Sequence, residues 1–309
     1  MNLLVGSLTM GLLLSLLTLG LLVSYRILQR LDLTVEGSFG VGAAVGAALL
    51  ARGTSAVGAT LLAGLAGVLA GLVTGVVHTR LRIDTLLAGI LTSTALYSVM
   101  LYVMGGGEVS VATQPTLFAG AERVWRRLGG ADVTLFGTEV SASSVASLLL
   151  LLVLVPLLAL ALGRLFRTTL GLSLRAAGDG PSMARAQGID VDEMVVFALA
   201  LSNGLVALSG ALFAQYQGFA NVQMAVGVFA TGLASLVLGE ALVGRRPVGR
   251  AIAAAILGTV AFRLLVSGAL RLGLDPNALK LATALLALAV LVLQGGVRRV
   301  LAARHASLP

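Results

Sequence analysis

Apolar residues run along this chain in long blocks separated by short charged segments, and the lengths of the blocks predict its elements. No Asp, Glu, Lys or Arg occurs in 3–23, 37–51, 53–79, 85–107, 140–163, 194–239 or 281–297. A helix rises about 1.5 Å per residue, so about 20 residues cover the hydrocarbon core of a bilayer, about 30 Å thick. The block 194–239 is too long for one crossing, and Gln215-Tyr216-Gln217-Gly218 followed by Asn221 and Gln223 supplies a polar turn in its middle. The pattern thus predicts membrane spans at 3–24, 34–51, 55–77, 85–104, 144–163, 194–214, 224–243, 250–269 and 278–294. Leu, Ala, Val and Gly dominate these blocks, and they lack the polar–apolar alternation of an outer-membrane strand. The expected fold is an all-α polytopic membrane protein of about nine transmembrane helices, one transmembrane domain over residues 1–309.

Composition agrees. Hydrophobic residues make up 58% of the chain and charged residues 11%, against about 25% charged in a soluble domain. The net charge of +8 is explained by topology. Nine spans put 25–33, 78–84, 164–193, 244–249 and the tail after 295 on one side, with fourteen arginines when Arg250 at the boundary is counted: Arg26, Arg30, Arg80, Arg82, Arg164, Arg167, Arg175, Arg185, Arg245, Arg246, Arg250, Arg298, Arg299 and Arg304. The opposite side has Arg52, Arg123, Arg126, Arg127 and Arg271, with Lys280 near its boundary. The positive-inside rule makes the arginine-rich side cytoplasmic, with the N-terminus outside and the C-terminus inside. No basic stripe lies on a soluble module, which argues against nucleic acid as a partner. The N-terminal block lacks a preceding basic residue and a clear small-residue cleavage site, so it is read as the first span rather than as a signal peptide. The absence of cysteine excludes disulfides, thiol catalysis and cysteine metal sites, and His78 and His305 cannot build a histidine cluster; no metal site is expected.

Polar groups near the spans are the candidates for function. Asp32-Leu33-Thr34-Val35-Glu36-Gly37-Ser38-Phe39-Gly40 leads a charged, glycine-rich stretch straight into the second span, the pattern of a broken helix entering the membrane. Gly227-Val228-Phe229-Ala230-Thr231-Gly232-Leu233-Ala234 repeats the spacing of Gly37, Phe39, Gly42 and Ala44 at the opening of the seventh span, which runs the opposite way. Opposed copies are what an inverted repeat leaves behind, and chance similarity in a chain rich in Gly and Ala is the alternative. Arg263, inside the eighth span, is a candidate for meeting a solute carboxylate, Glu36 or Glu240, or for snorkelling to the headgroups. Glu240 is expected to pair with Arg245 or Arg246. Thr34, Glu36, Ser38, Thr92, Asn203 and Arg263 form the candidate solute path, with Gln215, Thr94 and Ser98 as further uncharged candidates; interhelical hydrogen bonding is the competing account of the uncharged ones.

Between the fifth and sixth spans, the loop 168–193 contains Gly171 to Asp190, read as a helix end, a Gly178-Asp179-Gly180 turn and a short helix. Pro181 suits its first turn, Asp179 or Ser182 is placed to cap it, and Gly188 to end it. Met183 and Ile189 give this helix apolar contacts for a partner. In the outer loop 105–143, Phe118 to Leu128, with Trp125 beside Arg126 and Arg127, reads as an amphipathic helix at the headgroups or as part of a docking platform.

Arg175-Ala176, Gly178-Asp179, Met183-Ala184-Arg185-Ala186 and Gly188-Ile189 resemble the cytoplasmic coupling loop of permeases in the branched-chain amino acid and ribose group of ABC importers, and Thr34 to Phe39 resembles their interrupted second helix. Asp32 to Phe39, Leu87 to Thr92, Pro115 to Phe118, Ala200 to Asn203, Leu208 to Leu212 and Gly239 to Leu242 are similar to the subgroup linked to tryptophan or tyrosine uptake. The resemblance implies an inverted-repeat type II ABC importer permease that moves a small organic solute, an aromatic amino acid favoured and sugars or nucleosides as alternatives. It implies a multi-pass protein of a prokaryotic plasma membrane and a homodimer. It also implies ABC ATPase subunits on the cytoplasmic side, which bind the ATP, and an extracytoplasmic substrate-binding protein. Arg175, Gly178, Asp179, Met183, Gly188 and Ile189 would carry the coupling contact. Ten helices in the best-known members imply a hidden broken helix here or a missing first span. The chain's one lysine, Lys280, cannot complete a phosphate-binding loop, so the chain cannot be a P-loop ATPase on its own; the resemblance implies no cofactor in this chain and ATP bound by the partner subunit. An ion-coupled secondary transporter using Glu36, Glu240 and Arg263 is the rival class. A membrane-embedded enzyme lacks a nucleophile, base and orienting group in its support.

Overall fold

The computed structural model describes residues 2–271 except 131, 136–137 and 245–246, with scattered positions between 281 and 292. Eight helices among the described residues are long and apolar enough to cross a membrane. They are α1 (Asn2–Leu21, continued by a π-helical turn Leu22–Ile27), α2 (Thr34–Ala51), α3 (Ala56–Leu81), α4 (Thr85–Met104), α6 (Ala142–Leu165), α9 (Val191–Gln217), α10 (Val228–Val243, which crosses together with the 3-10 turn Val222–Ala225 before it) and α11 (Val248–Arg271). Each falls on a predicted span to within a few residues; the ninth, 278–294, lies largely outside the described residues.

Polar caps set the helix ends. The side chains of Ser55, Asp84 and Asp190 accept backbone N–H bonds in the first turns of α3, α4 and α9, satisfying donors that a helix start leaves open. Gly218 ends α9 at φ +83°, in the left-handed region where a side chain is strained, which is where the polar turn was expected.

α9 is the central post: α2 and α3 pack along it, and α1 lies between α9 and α11. Small residues permit the close approach. Gly67 and Gly71 of α3 face Asn203, Ala207 and Leu199, and Gly42 of α2 faces Ala207. Lipid supplies no hydrophobic drive for helix association, so such close contact holds the bundle by dispersion. The outer surfaces of α4 and α6 remain largely exposed, with Leu87, Ile90, Leu91, Leu152, Val153 and Leu160 pointing outward, as lipid-facing positions do.

On one face lie two further helices, α7 (Thr169–Asp179) and α8 (Pro181–Ala186); on the other lies α5 (Leu117–Arg127), packed on α6. The amphipathic helix expected over Phe118–Leu128 is therefore present as α5. Two short ribbons were not expected from an all-α reading. β1 (Glu108–Ser110) pairs antiparallel with β4 (Phe219–Asn221), and β2 (Val133–Leu135) with β3 (Thr138–Val140). Strands of three residues are too short to show a period of two in sequence.

Candidate translocation site and coupling face

The spans α2 and α10 have 18 and 16 residues, and both start inside the bundle rather than at its surface. Asp32, just before α2, sits beside Asn203, next to the midpoint of the 27-residue α9. Twelve residues of helix place Asn203 about 18 Å from the start of α9. The chain therefore turns back into the bundle after the π-helical turn, and α2 begins at depth. From the other face, a short 3-10 turn (Val222–Ala225) descends beside α2, where Gly40 faces Ala225. α10 then begins behind Gly227, whose φ of +82° favours glycine. The two starts meet: a Glu36 carboxylate oxygen accepts a hydrogen bond from the Gly227 N–H at 3.1 Å. A carboxylate at a helix start also meets the positive end of its dipole. Two broken helices entering from opposite faces and meeting inside are the arrangement of an inverted repeat.

Around this junction the structure gathers part of the expected set. Asn203 Nδ2 donates to Asp32 Oδ2 at 2.7 Å and to the Leu199 carbonyl at 2.9 Å, while Ser38 Oγ donates to Asn203 Oδ1 at 2.7 Å. Asp32 Oδ1 accepts from the Thr34 N–H at 2.8 Å, and the Thr34 and Thr74 hydroxyls share a hydrogen bond of 2.7 Å. Asp32, Thr34, Ser38 and Asn203 are at most 1% exposed. Their polar atoms are occupied by one another, by Thr74 and by the Leu199 carbonyl, the interhelical hydrogen bonding that was the competing account of Thr34, Ser38 and Asn203. Thr92 is buried on α4 outside this network. Of the set, Glu36 is only partly buried.

Asp32 was passed over as a site residue, although the signal was present. An Asp side chain readily accepts from the backbone N–H two residues on, as in an Asx turn, and a carboxylate leading into an apolar run has to find donors.

Arg263 lines a cavity of about 70 Å³ with Leu14, Thr18, Phe39, Phe213 and Ser235 among its walls. It is partly buried and makes no ion pair or hydrogen bond to a described residue. The structure does not pair it with Glu36 or Glu240. Glu240 meets Arg26 at 3.1 Å, across from α10 to the π-helical turn; Arg245 and Arg246, the partners expected for it, lie outside the described residues. Gln215 is likewise structural: its Nε2 donates to Thr60 Oγ1 at 2.7 Å and its Oε1 accepts from the Leu117 N–H at 3.0 Å.

The loop 168–193 folds as two helices. Pro181 stands in the first turn of α8, as expected, and Gly188 turns the chain at φ +79°. The cap of α8 is Gly180, with no side-chain hydrogen bond from Asp179 or Ser182. Gly178 and Asp179 belong to α7 instead of a turn. The reason is contact: Gly178 packs so close to the Ile27 carbonyl that a methyl group there would overlap it. Asp179 Oδ1 accepts from Gln29 Nε2 at 2.9 Å, and Arg175 Nη2 donates to the Phe166 carbonyl at 3.2 Å. Ile189 packs against the core, whereas Met183 is 71% exposed. α7 thus grips residues 27–29, and the chain continues from there through Asp32 to Glu36.

This geometry defines a multi-pass membrane protein with paired broken helices at its centre and a helical knob on one face. The match to a family model is extensive: residues 3–294 fit the branched-chain amino acid transport system permease component, and the chain belongs to that family of ABC importer permeases. A tyrosine transport system permease protein of Clostridioides difficile is 33% identical over 291 residues, 94% of this chain and 91% of that protein. An uncharacterised protein of Rickettsia prowazekii is 31% identical over 285 residues, 91% of this chain and 94% of that one. An autoinducer 2 import system permease of Yersinia pseudotuberculosis is 29% identical over 215 residues, 69% of this chain and 55% of that protein. No solved structure matches. The chain is the non-catalytic permease component of an importer, and in this family ATP is bound by separate ATPase subunits.

Proposed function

We propose that this permease carries an amino acid, an aromatic one, into the cytoplasm, with ATP hydrolysed by subunits docked on α7 and α8 and with a second copy of the chain completing the path. The observation that carries the coupling half is α8 itself. Its Met183 projects from a helix whose neighbours are anchored by Gly178 against Ile27 and by Asp179 on Gln29. A knob with an exposed apolar tip and a fixed base suits transmission of a rigid-body movement. The likeness to a tyrosine permease over 94% of the chain supports the aromatic solute, and the autoinducer 2 relatives make solute competition the necessary control, because one scaffold serves different solutes. Arginines on the face of α7 and α8, Arg26, Arg30, Arg175 and Arg185 among them, support placing that face and the C-terminus in the cytoplasm.

Affinity capture of the solubilised chain from its host, followed by mass spectrometry, tests the reading. The wild type is expected to recover an ATPase that Met183→Asp loses. A working transporter without an ATPase partner would overturn it in favour of ion-coupled transport. Uptake of labelled tyrosine by the complete importer, competed with leucine and sugars, tests the solute.

A further inference from the structure

The Arg263 cavity lies within one copy of the chain, between α1, α2, α9, α10 and α11, and its polar lining is one-sided. An arginine inside a membrane span is costly unless an anion, water or protein acceptor compensates it, and no described residue does so for Arg263. The lining hydroxyls offer it little competition as donors. Thr231 Oγ1 donates to the Val228 carbonyl at 3.0 Å and Ser235 Oγ to the Thr231 carbonyl at 2.7 Å, whereas Thr259 Oγ1 is engaged on two sides, by the Thr18 hydroxyl at 2.8 Å and the Ala255 carbonyl at 2.7 Å. With their protons committed to the backbone, the Thr231 and Ser235 hydroxyls present oxygen lone pairs. The cavity therefore has a cationic donor at Arg263 and neutral acceptors on α10. Phe39, Phe213, Phe262 and Met224 form an apolar wall between them.

We propose that this cavity is a binding site for the zwitterionic head of an amino acid, its carboxylate on Arg263 and its ammonium on the hydroxyl oxygens of Thr231 and Ser235. The wall of three phenylalanines and a methionine takes the solute's side chain. A sugar offers no anion to Arg263 and a plain carboxylic acid no donor to the hydroxyls, so the donor and acceptor set selects for both charges. The volume of about 70 Å³ is about half that of an engineered cavity of about 150 Å³ that takes benzene, so it is too small for a whole aromatic amino acid. Admission of the side chain therefore requires the walls to part. Phe39 and Val228 stand next to the Glu36–Gly227 junction, so separation of α2 from α10 opens the cavity at that edge. This inference rests on the reading of the chain as an amino-acid permease and adds to it a specific site within the permease, separate from any path between two copies.

The test is equilibrium binding to the full chain in lipid nanodiscs, with labelled L-tyrosine, L-leucine, tyrosinamide and the deaminated analogue 3-(4-hydroxyphenyl)propionate. Tyrosine is expected to bind, and each analogue lacking a charge to bind roughly tenfold more weakly or worse, because its absence leaves a buried polar group without its partner. Arg263→Gln should weaken tyrosine binding by about the same factor while leaving tyrosinamide unchanged, and Arg263→Lys should retain part of it. Thr231→Val supplies a second variant that keeps the cation: it should weaken tyrosine and spare the deaminated analogue. Equal binding of tyrosine by the wild type and both variants would overturn the site and leave the amino-acid reading standing. Leucine binding in place of tyrosine, with the same dependence on Arg263, would support the site and overturn the aromatic half of the functional reading. No binding of any amino acid by the wild type would overturn the inference, and uptake by the complete importer would still judge the functional reading by itself.

Discussion

The carboxylate of Glu36 and the backbone N–H of Gly227 meet at 3.1 Å, although the two residues stand at the starts of helices that enter from opposite faces of the bundle. One hydrogen bond thus ties the two broken helices together, and its partial burial leaves it open to exchange. Glu36→Gln keeps an acceptor and loses the charge, whereas Glu36→Ala loses both, at a cost of about 1 kcal/mol typical of a helix-start contact. The expected order of solute uptake is wild type, then Gln, then Ala, with the protein amount in the membrane unchanged. Uptake by Glu36→Ala equal to that of the wild type would show that the junction has no part in transport.

Asn203 makes a different case, because every polar atom of its side chain is occupied. Replacing it with Ala strands Asp32 Oδ2 and removes the acceptor of Ser38, both in a region with no access to bulk water. Stranded buried groups cost about 1–3 kcal/mol each. Asn203→Ala should therefore lower the unfolding midpoint of the detergent-solubilised protein by several degrees, and Asn203→Asp by more, since it sets a second carboxylate beside Asp32. An unchanged midpoint for both would mean that water replaces the lost partners.

This network also marks the boundary of what the sequence could tell. The eight crossings were legible because an absence of charge over some 20 residues has one physical meaning in a long apolar chain. The broken starts of α2 and α10 were legible as glycine patterns, Gly37 to Gly42 and Gly227 to Gly232, and the structure gives those patterns their depth. What spacing could not say is which polar side chains face one another. Thr34, Ser38 and Asn203 have the composition of a solute path and the geometry of a helix clamp, and only the third dimension separates the two. Gly178 was read as a turn because glycine is common in turns; in fact α7 needs it to pass the Ile27 carbonyl. The ninth crossing and the tail beyond it were predicted from the same kind of block but fall largely outside the described residues.

Arg26 and Glu240 form a pair at 3.1 Å in which the glutamate side chain is 3% exposed and the arginine 33%. The contact joins the π-helical turn after α1 to the end of α10, so it holds the second broken helix to the segment that α7 also grips. Arg26→Met removes one charge of a mostly buried pair. The expected loss is about 2 kcal/mol, below the range for a fully buried pair because water reaches the arginine. Combining it with Glu240→Gln should recover part of that loss. A double-mutant cycle on thermal unfolding measures the coupling, and additive effects would show that the two side chains do not stabilise each other.

The last prediction concerns Gly178. Its lack of a side chain lets α7 rest on the Ile27 carbonyl, and the neighbouring Asp179 holds Gln29 at 2.9 Å. Residues 27–36 then lead without a break to Asp32 in the clamp and Glu36 at the junction, so a push on α7 reaches the centre of the bundle through about ten residues of chain. Gly178→Val drives α7 away from Ile27 while leaving the exposed Met183 of α8 free to meet a partner. The expected phenotype is a complex that assembles and hydrolyses ATP but imports little solute, a rise in ATP consumed per molecule transported. Gln29→Ala should shift the same ratio more weakly, since it removes one hydrogen bond and adds no bulk. The measurement is ATPase activity and uptake from the same proteoliposomes. If Gly178→Val lowered both in proportion, the contact would serve assembly alone, and the route from α7 to Glu36 would carry no signal.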